Sequence, residues 1–162
     1  MPETMIRHRG FFHYGELQQA IRQYFVDENY NIVNYPMYKQ KFATPIGVEQ
    51  EIKIRAEKKI TEYVRFHMEI LFRVYDLRDI EIIRDGKKVT LQEGKLFVVL
   101  SPTIEFDWQK RFAGSKFLQA LDDFYRNYII KYKILDYWED TLLIKSEQLA
   151  KIIKTKLGQE VM

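Results

Sequence analysis

The 162-residue chain contains no cysteine. This absence excludes disulfide bonds, thiolate metal ligands and cysteine nucleophiles, and it favours a reducing compartment. Histidine is scarce as well, because only His8, His13 and His67 are present and none stands at a spacing typical of metal ligands. We therefore predict no metal site.

The sequence lacks the glycine motifs that bind nucleotides and the motif that surrounds a serine nucleophile. The seven glycines are scattered singly, so the sequence has neither a dinucleotide-binding fingerprint nor a phosphate-binding loop, and we predict no cofactor. None of the serines lies in a Gly-x-Ser-x-Gly motif, and we predict no catalytic residues. These absences favour a protein that is not an enzyme, although an active site assembled from residues distant in sequence stays open.

Long hydrophobic runs and charge of one sign are also missing. No run approaches the ~18 apolar residues that a membrane span requires, and the amino terminus lacks the apolar core of a signal peptide. The 26 Lys and Arg residues are nearly balanced by 23 Asp and Glu residues, which disfavours sequence-independent phosphate binding. We expect a soluble, cytoplasmic protein.

Aromatic residues, in contrast, are abundant at 15%, and hydrophobic residues make up 46% of the chain. This composition and length predict one core and a single domain over residues 1–162. Residues 1–12, which include His8, show no periodic pattern, and we expect them to be flexible, with His13 still in this mobile end. A helix is predicted over residues 13–26 from its apolar stripe of Leu17, Ala20, Ile21, Tyr24 and Phe25.

The region from Ile52 to Val74 has its apolar residues almost entirely at even positions. A period of two is typical of β-strands with one buried face. Because the region is too long for one strand in a domain of this size, we expect a turn at Glu57 to Lys59 and another at Asp76 to Asp79. The opposite face would carry Lys53, Arg55, Tyr63, Arg65, His67, Glu69, Leu71, Arg73 and Tyr75.

Two tight turns are predicted further along the sheet. A hairpin at Asp85-Gly86 would place Ile82 opposite Val89 and Ile80 opposite Leu91. A second turn at Glu93-Gly94 would place Leu91 opposite Leu96 and end the next strand near Ser101-Pro102. With an extended segment at 31–38, a loop at 39–50 and a short strand at 104–108, residues 30–108 become mainly an antiparallel meander of five or six strands.

Helical spacing returns over residues 114–157, where we predict two helices packed on the sheet. Ser115 is expected to cap the first helix, and Asp136 with Glu139 forms a candidate capping box for the second, which would end at Gly158. The fold class is therefore α+β. The first of these two helices is expected to pack on the sheet through an apolar stripe, which consists of Phe117, Leu118, Leu121, Phe124, Tyr125, Tyr128, Ile129 and Tyr132.

The sheet face opposite the core is neither cleanly polar nor cleanly apolar, which predicts that something covers it. The cover would be one of the chain's own helices, another copy of the protein, or a different protein partner. We predict binding residues at Tyr63, Arg65, His67, Arg73, Tyr75 and Phe97.

These residues favour a non-enzymatic binding or assembly module that self-associates or joins a protein complex. The alternative is a nucleic-acid or ribonucleoprotein-binding protein, in which the same tyrosines and arginines stack on bases and contact phosphates. A third interpretation is a cup for a small apolar ligand between a curved sheet and the last two helices. No motif specific to a family is present.

Overall fold

A five-stranded antiparallel sheet with helices on one face forms the protein, which confirms the α+β prediction. The computed structural model describes residues 2–43 and 47–158. The strands are β1 (Thr4–Phe12), β2 (Asn31–Ala43), β3 (Val48–Lys59), β4 (Val64–Arg84) and β5 (Lys87–Phe106), in the order β1-β5-β4-β3-β2. The helices are α1 (Tyr14–Asp27), α2 (Lys116–Phe124), α3 (Lys131–Lys133) and α4 (Asp140–Lys156), with π-helical turns at Tyr125–Ile129 and Ile134–Glu139.

The period-two pattern forms the core face of the sheet, as predicted. In β4 the even-numbered side chains from Val64 to Val74 are buried, and β3 contributes Ile52, Ile54 and Ala56 to the same core. Alternate side chains of a strand point to opposite faces, so the odd-numbered residues lie on the other face of the sheet. This parity positions the candidate site described below.

The Asp85-Gly86 hairpin is confirmed with its register. Ile82 faces Val89 and Ile80 faces Leu91 across β4 and β5. Both turn residues have positive φ, 52° at Asp85 and 76° at Gly86, as a two-residue turn matched to strand twist requires.

The other predicted turns of the sheet are wrong. The chain turns at residues 60–63 rather than at Glu57 to Lys59, and β5 runs unbroken through Gly94 and through Ser101-Pro102 to Phe106. Leu96 faces Val74 rather than Leu91. Gly94 lies opposite a bulge in β4. In this bulge, Asp76 and Leu77 lie between the pairs Tyr75–Lys95 and Arg78–Glu93. The predicted turn at Asp76 to Asp79 is thus a bulge at Asp76 and Leu77 followed by the paired residues Arg78 and Asp79, all within one long strand.

The amino-terminal residues are not a mobile end, contrary to the prediction. β1 pairs along its whole length with β5, from Thr4 opposite Leu100 to Phe12 opposite Gln92. Ile6 and Phe12 are buried in the core, which stabilises the strand. His13 caps α1, because its Nδ1 accepts a hydrogen bond from the Glu16 N–H at 3.0 Å.

The predicted loop at 39–50 is also mostly strand. β2 extends to Ala43 and β3 begins at Val48, so only the short connection that contains Pro45 falls outside the described residues. Pairing between β2 and β3 shifts register between Val33 and Met37, around Pro36, which has no backbone N–H to donate. The extended segment is therefore confirmed, and the predicted loop is corrected to strand.

Helices α1 and α4 pack against each other and against the core face of the sheet. Ser115 caps α2 by accepting from the Leu118 N–H at 3.1 Å, as predicted. The capping box is wrong, because Asp136 lies inside a helical turn that continues into α4, and Glu139 makes no side-chain capping bond. Gly158 follows the helix with φ 73°, which suits a C-terminal glycine. The buried α1 and α4 side chains include Leu17, Ile21, Phe25, Leu142, Leu149 and Ile153.

Candidate functional site

The candidate site is the sheet face opposite α1 and α4, here called the outer face. It carries the odd-numbered side chains of β1, β3 and β5, and those of β4 from Arg65 to Tyr75. They line up in rows across the strands because the register is continuous as far as the bulge in β4. The helices α1 and α4 pack on the other side, and α2 meets the sheet at the end that holds Tyr63 and Phe106. In the described part of the chain, α1 and α4 thus leave the outer face uncovered.

An apolar row crosses the middle of the outer face. Met5 faces Val99, and Val99 faces Leu71, across β1, β5 and β4. Next to this row, the rings of Tyr75 and Phe97 meet edge to face with centroids 5.7 Å apart. Met5 is 54% exposed, so this row offers contact area to a partner.

On one side of the apolar row, the outer face is rich in carboxylates. Glu105 accepts hydrogen bonds from Arg65 Nη2 at 2.7 Å and from the ring of His67. Arg65 also lies 3.5 Å from Glu57, and Glu69 lies 3.1 Å from Arg55. Partial burial alone would raise the pKa of Glu105, but the hydrogen bonds from His67 and Arg65 hold that pKa below its usual value.

A depression of about 410 Å³ lies within this acidic half. The small side chains of Ser101 and Thr103 leave room between the strands, and Ser101 Oγ donates to a Glu3 carboxylate oxygen at 3.0 Å. Its walls are mainly charged, and they include Glu3, Arg55, His67, Glu69 and Glu105. No group of three or more His, Asp or Glu residues in the described ranges is arranged to hold a metal ion.

On the other side of the apolar row, the outer face is basic. Arg7 faces Phe97 and Arg9 faces Lys95 across β1 and β5, and the Arg7 guanidinium lies 6.0 Å from the Phe97 ring centroid. Arg73 lies 3.6 Å from Glu51 and is more than half exposed. A depression of about 310 Å³ lies in this basic half. The outer face therefore has an acidic half and a basic half with apolar side chains between them.

Five of the six predicted binding residues lie on the outer face. Arg65 and His67 belong to its acidic half, whereas Arg73, Tyr75 and Phe97 lie beside its apolar row on the basic side. Alternation in β4, together with the approximate position of β5, was enough to group them.

Tyr63 is not part of this surface, contrary to the prediction. It lies in the turn before β4, where strand parity does not apply, and its ring contacts Phe106, Phe112 and Tyr125. Its hydroxyl donates to the carboxylate of Asp122. Burial, and next the Asp122 bond, raise the pKa of Tyr63. Tyr63 therefore anchors α2 to the sheet.

Sequence reasoning missed the contribution of β1 to the outer face. Met5, Arg7 and Arg9 supply one end of the apolar row and much of the basic half. The available signal was the alternation of Met5, Arg7 and Arg9 with Ile6, a pattern too short to separate a strand from a charged terminus.

No protein-family model matches this sequence, and no curated protein matches it either. No helix in the described ranges combines the length and apolar character needed to cross a membrane.

Proposed function

We propose that the protein is a non-enzymatic assembly module that pairs with a second copy of itself through the outer face of the sheet. The observation that carries the proposal is the division of this face into acidic and basic halves around an apolar row. Such a surface is self-complementary, and two-fold dimers are the commonest homo-oligomers.

The register tells which residues would meet. Suppose that two outer faces pack with a two-fold axis along the apolar row. The row on the basic side of one copy then lies against the row on the acidic side of the other copy. The row of Arg7, Phe97, Arg73 and Glu51 then meets the row of Glu3, Ser101, Glu69 and Arg55 from the second copy. Within these rows, Arg7 faces Glu3, Arg73 faces Glu69 and Glu51 faces Arg55, so all three charge pairs have opposite sign. Lys53, which faces Leu71 from β3, would lie on the axis and meet Lys53 of the second copy, and Glu69 of its own chain lies 3.4 Å from its ammonium group. Opposed sheets with aligned strands pack in this way in β-sandwiches.

The size of the outer face is adequate for such a dimer. With strands about 4.8 Å apart and a rise of about 3.3 Å per residue, the paired region covers roughly 600 Å² in plan. The accessible area of a corrugated surface is larger, and stable interfaces bury about 800 Å² per partner. Leu71, Val99 and Met5 would form the dehydrated centre, surrounded by the charged rows.

The proposal is tested by measuring mass with size exclusion and light scattering while recording absorbance at 260 and 280 nm. We expect the mass of two chains with a protein-like absorbance ratio. Leu71→Asp places a charge in the apolar row and should give a monomer. Ile83→Asp is the matched control, because Ile83 is 78% exposed at the hairpin end of β4, and it should leave the dimer intact.

Charge reversal gives a sharper test of the register. Arg73→Glu would place a carboxylate against Glu69 of the second copy and should weaken dimerisation. The double variant Glu69→Arg with Arg73→Glu restores opposite charges across the two-fold axis and should regain affinity. A monomeric wild type at all accessible concentrations, or a double variant weaker than both single variants, would contradict the proposed pairing.

Nucleic-acid binding is the second candidate, and the basic half of the outer face favours it. Arg7, Arg9 and Lys95 lie around the rings of Phe97 and Tyr75, a combination that binds single strands by charge and stacking. Arg65 supports it less, because Glu105 and Glu57 already pair with its guanidinium. Excess absorbance at 260 nm, together with a flatter salt dependence of oligonucleotide binding in Arg73→Glu, would favour this candidate over self-association.

The apolar-ligand cup has less support than these two candidates. The depression of about 410 Å³ opens on the outer face and not between the sheet and the helices, and charged side chains form most of its walls. Ligand pockets for apolar molecules are lined mainly by hydrophobic and aromatic groups.

A further inference from the structure

Helix α2 and the turns after it carry an exposed apolar stripe that the proposed dimer does not use. Its members are between 43% and 75% exposed, and the rings of Phe124 and Tyr128 are neighbours with centroids 5.1 Å apart. Those from 117 to 124 recur every three or four residues and share one side of α2, the residue at 128 in the following π-helical turn continues that side, and the residue at 132 follows a bend at Ile130. We call them the aromatic ridge: Phe117, Leu121, Phe124, Tyr128 and Tyr132.

The sequence predicts that this stripe packs on the sheet, and the structure places it outward instead. The inner side of α2 holds Asp122, which accepts from the Tyr63 hydroxyl and from Arg126 Nη2 at 2.9 Å. Arg126 in turn lies over the Phe106 ring, 5.6 Å from its centroid. The polar bonds of the inner side fix the rotation of the helix about its axis. The aromatic ridge must therefore face away from the sheet.

The charge around the aromatic ridge is predominantly positive. Residues 110–133 contain six basic and two acidic residues, and both acidic residues, Asp122 and Asp123, are ion-paired with Arg126. Of the remaining basic residues, all of them exposed, Arg111 pairs with Glu62 at 3.1 Å, and the others are Lys110, Lys116, Lys131 and Lys133. A helix with an aromatic side and basic flanks is typical of segments that lie in a membrane interface.

A second copy of the chain fits the aromatic ridge poorly. Antiparallel pairing of two ridges would bring Lys116 of one copy close to Lys131 and Lys133 of the other. Like charges in contact disfavour association, in contrast to the complementary rows of the outer face. An anionic lipid surface has no such conflict, because all of these cations meet phosphate groups.

We infer that the aromatic ridge binds peripherally to an anionic membrane surface, with α2 in the plane of the interface. Taking about 200 Å² for a fully exposed aromatic side chain, the ridge and its neighbours Tyr125 and Ile129 offer roughly 800 Å² of accessible surface. Phe and Tyr rings prefer the headgroup region, and the flanking lysines extend towards the phosphates. Binding would place the described part of the chain on the surface of the membrane.

The test is co-sedimentation of the full chain with vesicles of phosphatidylcholine alone or mixed with phosphatidylglycerol in equal parts. We expect binding to the mixed vesicles and much weaker binding to the neutral ones. Phe124→Ser should lower the partition coefficient about tenfold, since one aromatic side chain is withdrawn from the interface. Ile83→Ser, which removes an even more exposed apolar side chain from a hairpin tip, should have no effect.

A charge-reversal pair tests the electrostatic part. Lys131→Glu with Lys133→Glu should reduce binding to the mixed vesicles, whereas Lys87→Glu with Lys88→Glu, exposed lysines at the β4–β5 hairpin, should bind as the wild type does. The inference is wrong if the full chain does not sediment with mixed vesicles, or if Phe124→Ser and Ile83→Ser behave alike. It is also wrong if Phe124→Ser lowers the solution mass, which would make the ridge a protein interface. Leu71→Asp keeps the ridge intact, so loss of the dimer and loss of vesicle binding are separate results.

Discussion

Glu105 is the residue on which the acidic half of the outer face converges. Its carboxylate accepts from both Arg65 and His67, and it is about one-third exposed. Three neighbouring strands are connected in this way, because Glu105 lies on β5, Arg65 and His67 lie on β4, and Glu57 of β3 pairs with Arg65. The ionised form of Glu105 is therefore part of the folded structure.

The lowered pKa of Glu105 leads to a prediction about acid stability. Because the folded carboxyl holds its proton less tightly than the unfolded one, its contribution to stability is present above the unfolded pKa of about 4.5 and is lost as pH falls through the folded pKa. We expect urea denaturation between roughly pH 5 and pH 3 to show a steeper loss of stability in the wild type than in Glu105→Gln. Parallel pH profiles for the two proteins would contradict the prediction.

Tyr63 gives a second prediction for a single residue. Tyr63→Phe removes the hydroxyl that donates to the buried Asp122, which then retains Arg126 as its partner. We expect a loss of about 1–2 kcal/mol in the free energy of unfolding, because a buried carboxylate loses one hydrogen bond. Tyr137→Phe, at a tyrosine that is 63% exposed, should change the free energy of unfolding little. Equal denaturation midpoints for the two variants would show that the Tyr63 hydroxyl does not stabilise the fold.

Among the elements, the long β4–β5 pair depends on a glycine at its bulge. A Cβ atom added at Gly94 would lie 2.9 Å from the carbonyl oxygen of Tyr75 and 3.4 Å from Leu77 Cα. Backbone atoms of a paired strand cannot move aside without breaking ladder hydrogen bonds. The close approach of two strands thus selects glycine at this position.

We therefore expect Gly94→Ala to destabilise the protein by roughly 1–3 kcal/mol. Gly114→Ala is the control, because the nearest atom to its added Cβ would be Leu118 Cδ1 at 3.9 Å, an ordinary contact. Thermal denaturation of both variants provides the measurement. A Gly94→Ala protein that melts with the wild type would mean that the bulge can relax around the methyl group.

The sequence predicted elements well where the local pattern alone determines them, and poorly where tertiary contacts do. Alternation in β4 and the Asp85-Gly86 turn are local properties, and both are confirmed, the turn together with its predicted register. Glu93-Gly94 resembles a turn in sequence, but its glycine is required by the backbone of another strand. The helical stripe from Phe117 to Tyr132 has the right period and the wrong orientation, since the polar bonds of Asp122 decide which side faces inward.

The candidate site follows the same rule. Arg65, His67, Arg73, Tyr75 and Phe97 could be grouped from parity within strands, whereas Tyr63 was misplaced because it precedes the first residue of β4. The contribution of β1 to the outer face could not be predicted, because it depends on pairing with β5, which lies far along the chain. No periodic pattern in the sequence indicates which distant strand a given strand pairs with.

For the whole molecule, buried tyrosines predict sensitivity to alkali. Burial raises the pKa of Tyr30 to about 12. Burial and then the charge of Glu28 raise the pKa of Tyr24, and burial and then the hydrogen bond to Asp122 raise the pKa of Tyr63. A raised folded pKa means that stability is intact below the unfolded value of 10.0 and is lost as pH rises towards the folded value. Denaturation midpoints should fall steeply above about pH 10, and less steeply in Tyr30→Phe. A Tyr30→Phe profile identical to that of the wild type would exclude Tyr30 as a contributor.

The pairing of β1 with β5 also imposes an order on folding. Thr4 faces Leu100, so an early segment of the chain completes the sheet only after the strand beside it has been synthesised. Closing a loop of that length is entropically costly, while the β4–β5 hairpin forms from neighbouring residues. During translation, β1 must therefore wait unpaired beside the ribosome, with Ile6 and Phe12 accessible to chaperones, until β5 emerges and offers its free edge.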